Sequence, residues 1–204
     1  KLLRIRGQAM QNAVPIGVGS MVAILGASVD DVEYFIASVG NMEGLVEIAN
    51  DNAPGQVVIS GNIKSLDLII DVAKKSGVRK IIKLSVSAPF HCSLMKPAAK
   101  IMKDALENVN FLEPNVPIIS NVSAIPEASP QTLKNNLVLQ VTNRVRWRET
   151  MASLQRLGIS QIVEMGTGKV LTGLAKRGAK NLQSINLETS VEIKNWLKLE
   201  KLIN

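Results

Sequence analysis

His91 is the single histidine of the chain and the first residue whose type could do chemistry. Imidazole titrates near neutral pH, so a histidine can act as a general base. Pro89 favours an extended conformation at Ala88, which predicts that a strand ends there and that His91 lies on the following loop. Loops beyond strand ends commonly carry catalytic residues. The competing interpretation is an ordinary surface histidine or a hydrogen-bonded structural one.

A histidine base needs a nucleophile, and the sequence lacks the usual one. The Gly-x-Ser-x-Gly elbow that carries a reactive serine is absent from the 204 residues. The nearest string, GISQI at residues 158–162, lacks the second glycine and leads into a predicted strand instead of out of one. Cys92 adjoins His91, but neighbouring side chains of an extended chain diverge, which argues against a Cys–His dyad. If the protein transfers acyl groups, its nucleophile lies outside this sequence.

Three further features could bind an anion or a substrate. Arg6 falls at the edge of an apolar helical stripe, where its guanidinium could pair bidentately with a carboxylate. Gly166 and Gly168 precede a predicted helix and could offer backbone N–H groups to an anion. Asn50 and Asn52 lie in a turn-rich connection at residues 50–55. The alternatives are an ordinary salt bridge, a tight turn and asparagines kept for turn conformation.

The composition excludes several classes of protein. With 46% apolar and 20% charged residues, the chain is of the soluble globular type. One cysteine excludes an intrachain disulfide, and no Cys/His spacing suggests a metal site. Because no apolar run reaches membrane-spanning length and no signal peptide opens the chain, we expect a cytoplasmic protein without a membrane partner.

The net charge of +7 favours an acidic partner. Aromatic residues make up only 3% of the chain, which argues against nucleic-acid binding by base stacking. The chain opens on Lys1, inside a predicted helix without an N-cap. We therefore expect that an N-terminal segment of the same protein is missing.

Two regions with different element patterns must position these residues. Residues 18–84 predict the order β-α-β-β-α-β, with Ser28 and Asp31 as a capping box at the first helix, an order typical of a ferredoxin-like fold. Residues 85–204 alternate helices and strands, which indicates a layered α/β domain with a parallel sheet. The predicted organisation is a large domain of residues 1–17 and 85–204 with residues 18–84 inserted as a small subdomain.

Four long motifs occur in order at compatible spacing. They are RGQAMQ at residues 6–11, NDNAPGQVVISG at 50–61, SAPFHCSLMKPA at 87–98 and GTGKVLTGL at 166–174. Together they resemble the bacterial malonyl-CoA:acyl-carrier-protein transacylases over residues 1–187. The resemblance implies the C-terminal part of such an enzyme, with a partial α/β-hydrolase-like parallel-sheet acyltransferase domain and the ferredoxin-like insert.

The resemblance also implies a function and roles for individual residues. A serine upstream of this sequence would take malonyl from coenzyme A and pass it to the phosphopantetheine thiol of acyl carrier protein, in fatty-acid biosynthesis. His91 would be the base and then the acid, oriented by the backbone carbonyl of Gln140. Arg6 would bind the free malonyl carboxylate, and Asn50 and Asn52 would lie near the thioester entrance. No cofactor or metal is implied beyond malonyl-CoA and acyl carrier protein as substrates.

The sequence departs from the family pattern at three positions. Thr167 stands where the family usually has proline between two glycines, and Thr142 and Arg144 stand where it has tyrosine and proline after Gln140. The last two could change how firmly Gln140 is held. Without the nucleophilic serine of the family, the 204 residues alone are not expected to catalyse turnover. The alternative is a non-catalytic relic or a carrier-protein-binding module derived from the same family.

Overall fold

The computed structural model describes residues 1–40 and 43–203 and has a mixed α/β fold, which confirms the predicted class. The chain forms two compact units, Lys1–Thr150 and Met151–Asn204. The predicted boundaries at residues 18 and 84 stay a prediction. The elements in chain order are α1 (Leu2–Asn12), β1 (Gly19–Leu25), α2 (Val29–Val39), β2 (Val46–Ala53), β3 (Gln56–Asn62), α3 (Ile63–Lys75), β4 (Lys80–Lys83), a 3-10 turn (Ser93–Met95), α4 (Lys96–Glu107), β5 (Ile118–Ile119), β6 (Pro126–Glu127), α5 (Pro130–Thr142), α6 (Trp147–Arg156), β7 (Gln161–Met165), α7 (Val170–Gly178), β8 (Gln183–Leu187) and α8 (Ser190–Ile203).

The first unit contains a four-stranded sheet in the order β2-β3-β1-β4, and each pair of neighbours is antiparallel. The β-α-β-β-α-β order predicted for residues 18–84 is present. Ser28 and Asp31 form the predicted capping box at the start of α2. Asn62 precedes α3, but its side chain accepts a hydrogen bond from Leu45 N at 2.8 Å and does not cap the helix. The ferredoxin-like and hydrolase-like descriptions stay predictions.

Helices α2 and α3 supply the larger core of this sheet. One face of β1 and β3 contributes alternating residues, among them Val22, Ile24 and Ile59, which are fully buried. They pack against apolar residues of the two helices, such as Val32 and Leu66. The period of two along a strand and the helical spacing of apolar residues bring these faces together.

The opposite face of the sheet supports the loop that carries His91. Met21, Ala23, Ala49 and Val58 form a smaller apolar cluster, and Phe90 packs against it. At the start of β1 the contact with this loop is close. A Cβ atom added to Gly19 would lie 2.4 Å from Cγ of Pro89, so only glycine lets the loop approach this near.

A third apolar cluster joins α1, α4 and α5. Its buried residues include Met10 of α1, Met102 and Leu106 of α4 and Val141 of α5. Arg6 lies on α1, Gln140 on α5, and His91 just before the 3-10 turn that leads into α4. The packing of three helices therefore fixes the backbone from which the three predicted site residues project.

In the second unit β7 and β8 pair in parallel, and α7 connects them. Thr189 and Glu192 cap α8 reciprocally through their side chains and backbone N–H groups. In the first unit β5 pairs with β6 antiparallel. β6 was not predicted, because a two-residue strand containing Pro126 has no periodicity to detect.

Candidate active site around His91

His91 lies on a loop, as the sequence predicts, but the strand before it ends at Lys83 and the predicted strand end at Ala88 is wrong. The backbone of His91 has an unusual conformation. Its φ is +58°, in the left-handed region that residues with a Cβ atom rarely occupy. Such a conformation costs about 1–3 kcal/mol and persists only where the surroundings enforce it. Glu47 of β2 provides one restraint, because its carboxylate accepts hydrogen bonds from Ser93 N and Ser93 Oγ, both at 2.7 Å.

The imidazole of His91 contacts the end of α5. Its Nδ1 lies 2.8 Å from the backbone oxygen of Gln140. A carbonyl oxygen only accepts, so Nδ1 carries the hydrogen and Nε2 keeps a free lone pair. The carbonyl is available because it belongs to the last turn of α5, where carbonyl groups have no helical partner. The geometry thus prepares Nε2 to take up a proton.

Burial lowers the pKa of His91 below its usual value, since the surroundings disfavour the charged imidazolium. The hydrogen bond to Gln140 opposes this by stabilising the N–H form, and the positive charge of Arg6 lowers the pKa further. A lowered pKa keeps the ring neutral at pH 7, which is the form that a general base requires.

We expect the His91 ring to titrate with a midpoint below 6.5, the value of an unperturbed histidine. NMR titration of the imidazole resonances measures this directly. Replacing Arg6 by Gln should raise the midpoint because a nearby positive charge is removed, whereas Arg4→Gln, an exposed arginine on the same helix, should leave it unchanged. The lowered pKa also makes the free energy of unfolding depend on pH, because the unfolded chain takes up a proton on His91 more readily than the folded chain. The stability that His91 contributes is present above the unfolded pKa of about 6.5 and is lost as the pH falls through the folded pKa. A midpoint above 6.5 would contradict the burial argument.

Arg6 is partly buried on α1, and its burial lowers the pKa of its guanidinium. Within residues 1–40 and 43–203, no hydrogen bond or ion pair holds this guanidinium. A partly desolvated arginine without a carboxylate is a ready site for an anionic ligand. The positive charge of Arg6 lowers the pKa of His91, although Arg6 is not among the residues that line the cleft beside His91.

A cleft of about 710 Å³ opens beside His91. It lies between α2 and β2 on one side and the segment after α5 on the other, and its lining includes His91, Ser93, Lys96, Glu47 and Arg144. Gln140 lies behind the imidazole, not in the lining, as expected for a residue that acts through its backbone.

Asn50 and Asn52 lie on strand β2, and their predicted placement in a turn-rich connection at residues 50–55 is wrong. The strand continues to Ala53, so only Pro54 and Gly55 form the turn to β3. Asn50 forms an isolated parallel bridge with Val145. Pairing with β3 and, at Asn50, the contact with Val145 keep this stretch extended, and local sequence carries no signal of such partners.

Two anchoring contacts were not predicted from the sequence. The first is the Glu47–Ser93 contact described above. The second joins Asp51, which is fully buried on β2, to Arg148 of α6. The only sequence signal for the second contact was the charge of Asp51 between two asparagines. A carboxylate that becomes buried requires a partner, but the sequence does not say which one.

Two other candidates, the turn at Gly166 and Gly168 and the thiol of Cys92, have structural roles. In the second unit Gly168 N donates to the Glu188 carboxylate, and Glu164 accepts hydrogen bonds from the N-terminus of α7, so these donors are already occupied. The Cys92 thiol is buried and donates to Pro89 O at 3.1 Å, and burial raises its pKa. Both findings agree with the structural alternatives.

The described residues also bear on metal binding and membrane insertion. In the described ranges no group of three or more His, Cys, Asp or Glu side chains is placed to hold a metal ion. Of the helices that the structure describes, none combines the length and apolar character needed to cross a membrane.

Comparison with known proteins shows what the chain is similar to. No protein-family model matches the chain. It is 40% identical over 183 residues to the malonyl CoA-acyl carrier protein transacylase of Bacillus subtilis (strain 168), covering 90% of this chain. Its fold matches the crystal structure of acyl-carrier-protein-S-malonyltransferase from Bartonella henselae with a TM-score of 0.92 and 49% identity over 97% of this chain. The chain is a homologue of the malonyl CoA-acyl carrier protein transacylases.

The homology to these transacylases covers only part of their length. The chain spans 58% of the Bacillus subtilis protein and 63% of the Bartonella henselae chain. A further match is a malonyl-transacylase in complex with its type II PKS acyl-carrier protein, at 36% identity and a TM-score of 0.91 over 97% of this chain and 63% of that chain.

Proposed function

We propose that the protein containing these residues transfers malonyl from coenzyme A to acyl carrier protein in fatty-acid biosynthesis. One observation carries the proposal: His91 Nδ1 lies 2.8 Å from Gln140 O, which leaves Nε2 as the nitrogen that can take up a proton. A histidine base and the Arg6 cation, whose charge acts on it, suit the two needs of malonyl transfer, proton removal and carboxylate binding. Homology to the transacylases supports the assignment.

The proposed reaction has two halves that share His91. A serine outside these 204 residues attacks the thioester carbonyl of malonyl-CoA while Nε2 of His91 takes the serine proton. The new carbon–oxygen bond replaces the carbon–sulfur bond, and His91 returns the proton to the departing thiolate of coenzyme A. In the second half the phosphopantetheine thiol of acyl carrier protein gives its proton to His91 and attacks the malonyl-serine ester. The serine then recovers a proton from His91.

The remaining features of the proposal concern binding. Arg6 would bind the free carboxylate of malonyl, and Asn50 and Asn52 would lie near the path of the thioester. The net charge of +7 suits an acidic carrier protein, because opposite charges speed association. The reaction needs no cofactor beyond its two substrates, and we place the protein in the cytoplasm.

Trapping of the acyl-enzyme tests the function. The full-length protein, incubated with malonyl-CoA and without carrier protein, should gain one malonyl group on a serine outside these 204 residues, as detected by mass spectrometry of the peptides. Addition of phosphopantetheinyl acyl carrier protein should remove that group. Binding of the carrier protein without any malonyl adduct would instead identify a non-catalytic carrier-binding module.

A further inference from the structure

Asp51 is a carboxylate with no exposed surface in the folded chain. Arg148 Nε lies 2.9 and 3.0 Å from its two oxygens, and Nη2 lies 2.7 Å from Oδ2. The two residues are 97 positions apart in sequence, and they join β2 to the first turn of α6. A buried carboxylate is costly unless it is paired, so this contact strongly favours one arrangement of the two elements.

Backbone hydrogen bonds beside this pair join β2 to the segment after α5. Asp51 N donates to Val145 O at 2.9 Å, and Val145 N donates to Ala49 O at 2.8 Å. β2 needs such support, since its pairing with β3 shifts register twice, between Ile48 and Asn50 and between Asp51 and Ala53. Register shifts leave ladder groups unpaired and bend a strand. The Asp51–Arg148 pair thus stabilises β2 where its own sheet holds it least.

The segment that contains Val145 is connected to His91 through the last turn of α5. Asn143, two residues earlier, donates to Leu139 O from its backbone at 3.0 Å and from its side chain at 2.7 Å, which closes the last turn of α5. Gln140 lies within that turn, and its carbonyl oxygen is the one that accepts from His91 Nδ1. A shift of the segment after α5 would therefore move the acceptor that sets the tautomer of the imidazole.

We propose that Asp51 and Arg148 are positioning residues, whose ion pair holds the segment after α5 against β2 and so keeps Gln140 O in contact with His91. Neither residue touches the imidazole. The pair acts through the Val145 bridge. The same pair fixes Asn50 and Asn52, which flank Asp51 on β2. The proposal deepens the proposed function and rests on it for the role of His91, while the placement of the ring can be tested without any activity.

The test replaces both charges at once in the full-length protein. In Asp51→Leu/Arg148→Leu neither charge is left unpaired, and such replacements commonly keep the fold. The first readout is the pair of ¹⁵N shifts of the His91 ring, identified by their absence in His91→Gln. The parent protein should show only the form protonated at Nδ1, and the double variant should show a mixture with the form protonated at Nε2. The second readout is malonyl transfer, where kcat should fall about 10- to 100-fold while KM for malonyl-CoA changes less than about 2-fold.

Two further variants complete the experiment. Lys83→Ala removes the exposed Lys83–Asp67 ion pair of the same sheet and should change neither readout. Should the double variant fail to fold, Asp51→Asn keeps the size of the side chain and should give a smaller shift in the same direction. An unchanged tautomer in a folded variant overturns the proposal, even if kcat falls. If the parent protein transfers no malonyl, the ring shifts still decide the positioning role, and only the proposed function fails.

Discussion

Replacing His91 by alanine in the full-length protein is expected to lower kcat/KM for malonyl transfer by ~10³-fold or more, the usual loss when the base of a serine–histidine pair is removed. The serine proton then has no acceptor, because the Nε2 lone pair set up by the Gln140 contact is gone. The thiolate of coenzyme A also loses its proton donor. Steady-state transfer to phosphopantetheinyl acyl carrier protein measures the loss.

The backbone of His91 supplies the control for this substitution. At a φ of +58°, glycine is unstrained whereas alanine and histidine are not. His91→Gly should therefore unfold at a higher denaturant concentration than His91→Ala, yet be equally inactive. This comparison separates the chemical role of the side chain from the strain at its position. Near-normal transfer by either variant would remove His91 from the mechanism and favour a carrier-binding module.

Local sequence patterns predicted much of the fold around this residue. The capping residues Ser28 and Asp31 and the loop after Pro89 are set by neighbours within three residues, so they could be recognised in the sequence. The motifs that resemble the transacylases indicated Gln140 as a contact of His91. That contact spans 49 positions, and no local pattern would have revealed it.

What the sequence could not predict depends on partners that are distant along the chain. Asn50 and Asn52 have turn-forming side chains, but pairing with β3, and at Asn50 also a bridge to Val145, holds this stretch in a strand. The left-handed backbone of His91 could not be predicted locally either, because histidine is enriched in this region but still occupies it in only a minority of cases. Tertiary contacts decided the conformation at both places, and both lie in the candidate site.

The departures from the family pattern at Thr142 and Arg144 gain a physical meaning from these contacts. Proline would fix φ at residue 144, whereas arginine leaves the backbone freer. In this chain the segment is held instead by hydrogen bonds on both sides of Arg144, from Asn143 to Leu139 and between Val145 and β2. The Arg144 side chain lines the His91 cleft and lies 3.9 Å from carboxylates of Glu33 and Glu149. Loss of the proline therefore need not loosen the acceptor of His91.

Selectivity for malonyl over acetyl is expected to depend on Arg6. Malonyl carries a free carboxylate that acetyl lacks, and Arg6 is a partly buried cation with no ion pair among the described residues. Removing one partner of a buried charge pair costs about 2–5 kcal/mol. In Arg6→Ala, kcat/KM for malonyl-CoA should thus fall by at least ~30-fold, while the value for acetyl-CoA should change only a few-fold.

Two variants on the same helix make the Arg6 experiment specific. Arg6→Lys keeps the charge but loses the planar pair of donors, so it should recover only part of the selectivity. Arg4→Ala removes an exposed arginine two residues away and should alter neither substrate. Since Arg6 also lowers the pKa of His91, Arg6→Ala should raise that pKa and shift the acidic limb of the rate profile to higher pH for both acyl groups. A loss of rate that is equal for malonyl and acetyl at a pH well above this limb would show that Arg6 does not bind the carboxylate. The pH shift by itself would then mark Arg6 as an electrostatic neighbour of the base, because a charge that acts only on His91 cannot distinguish two acyl groups once the ring is neutral.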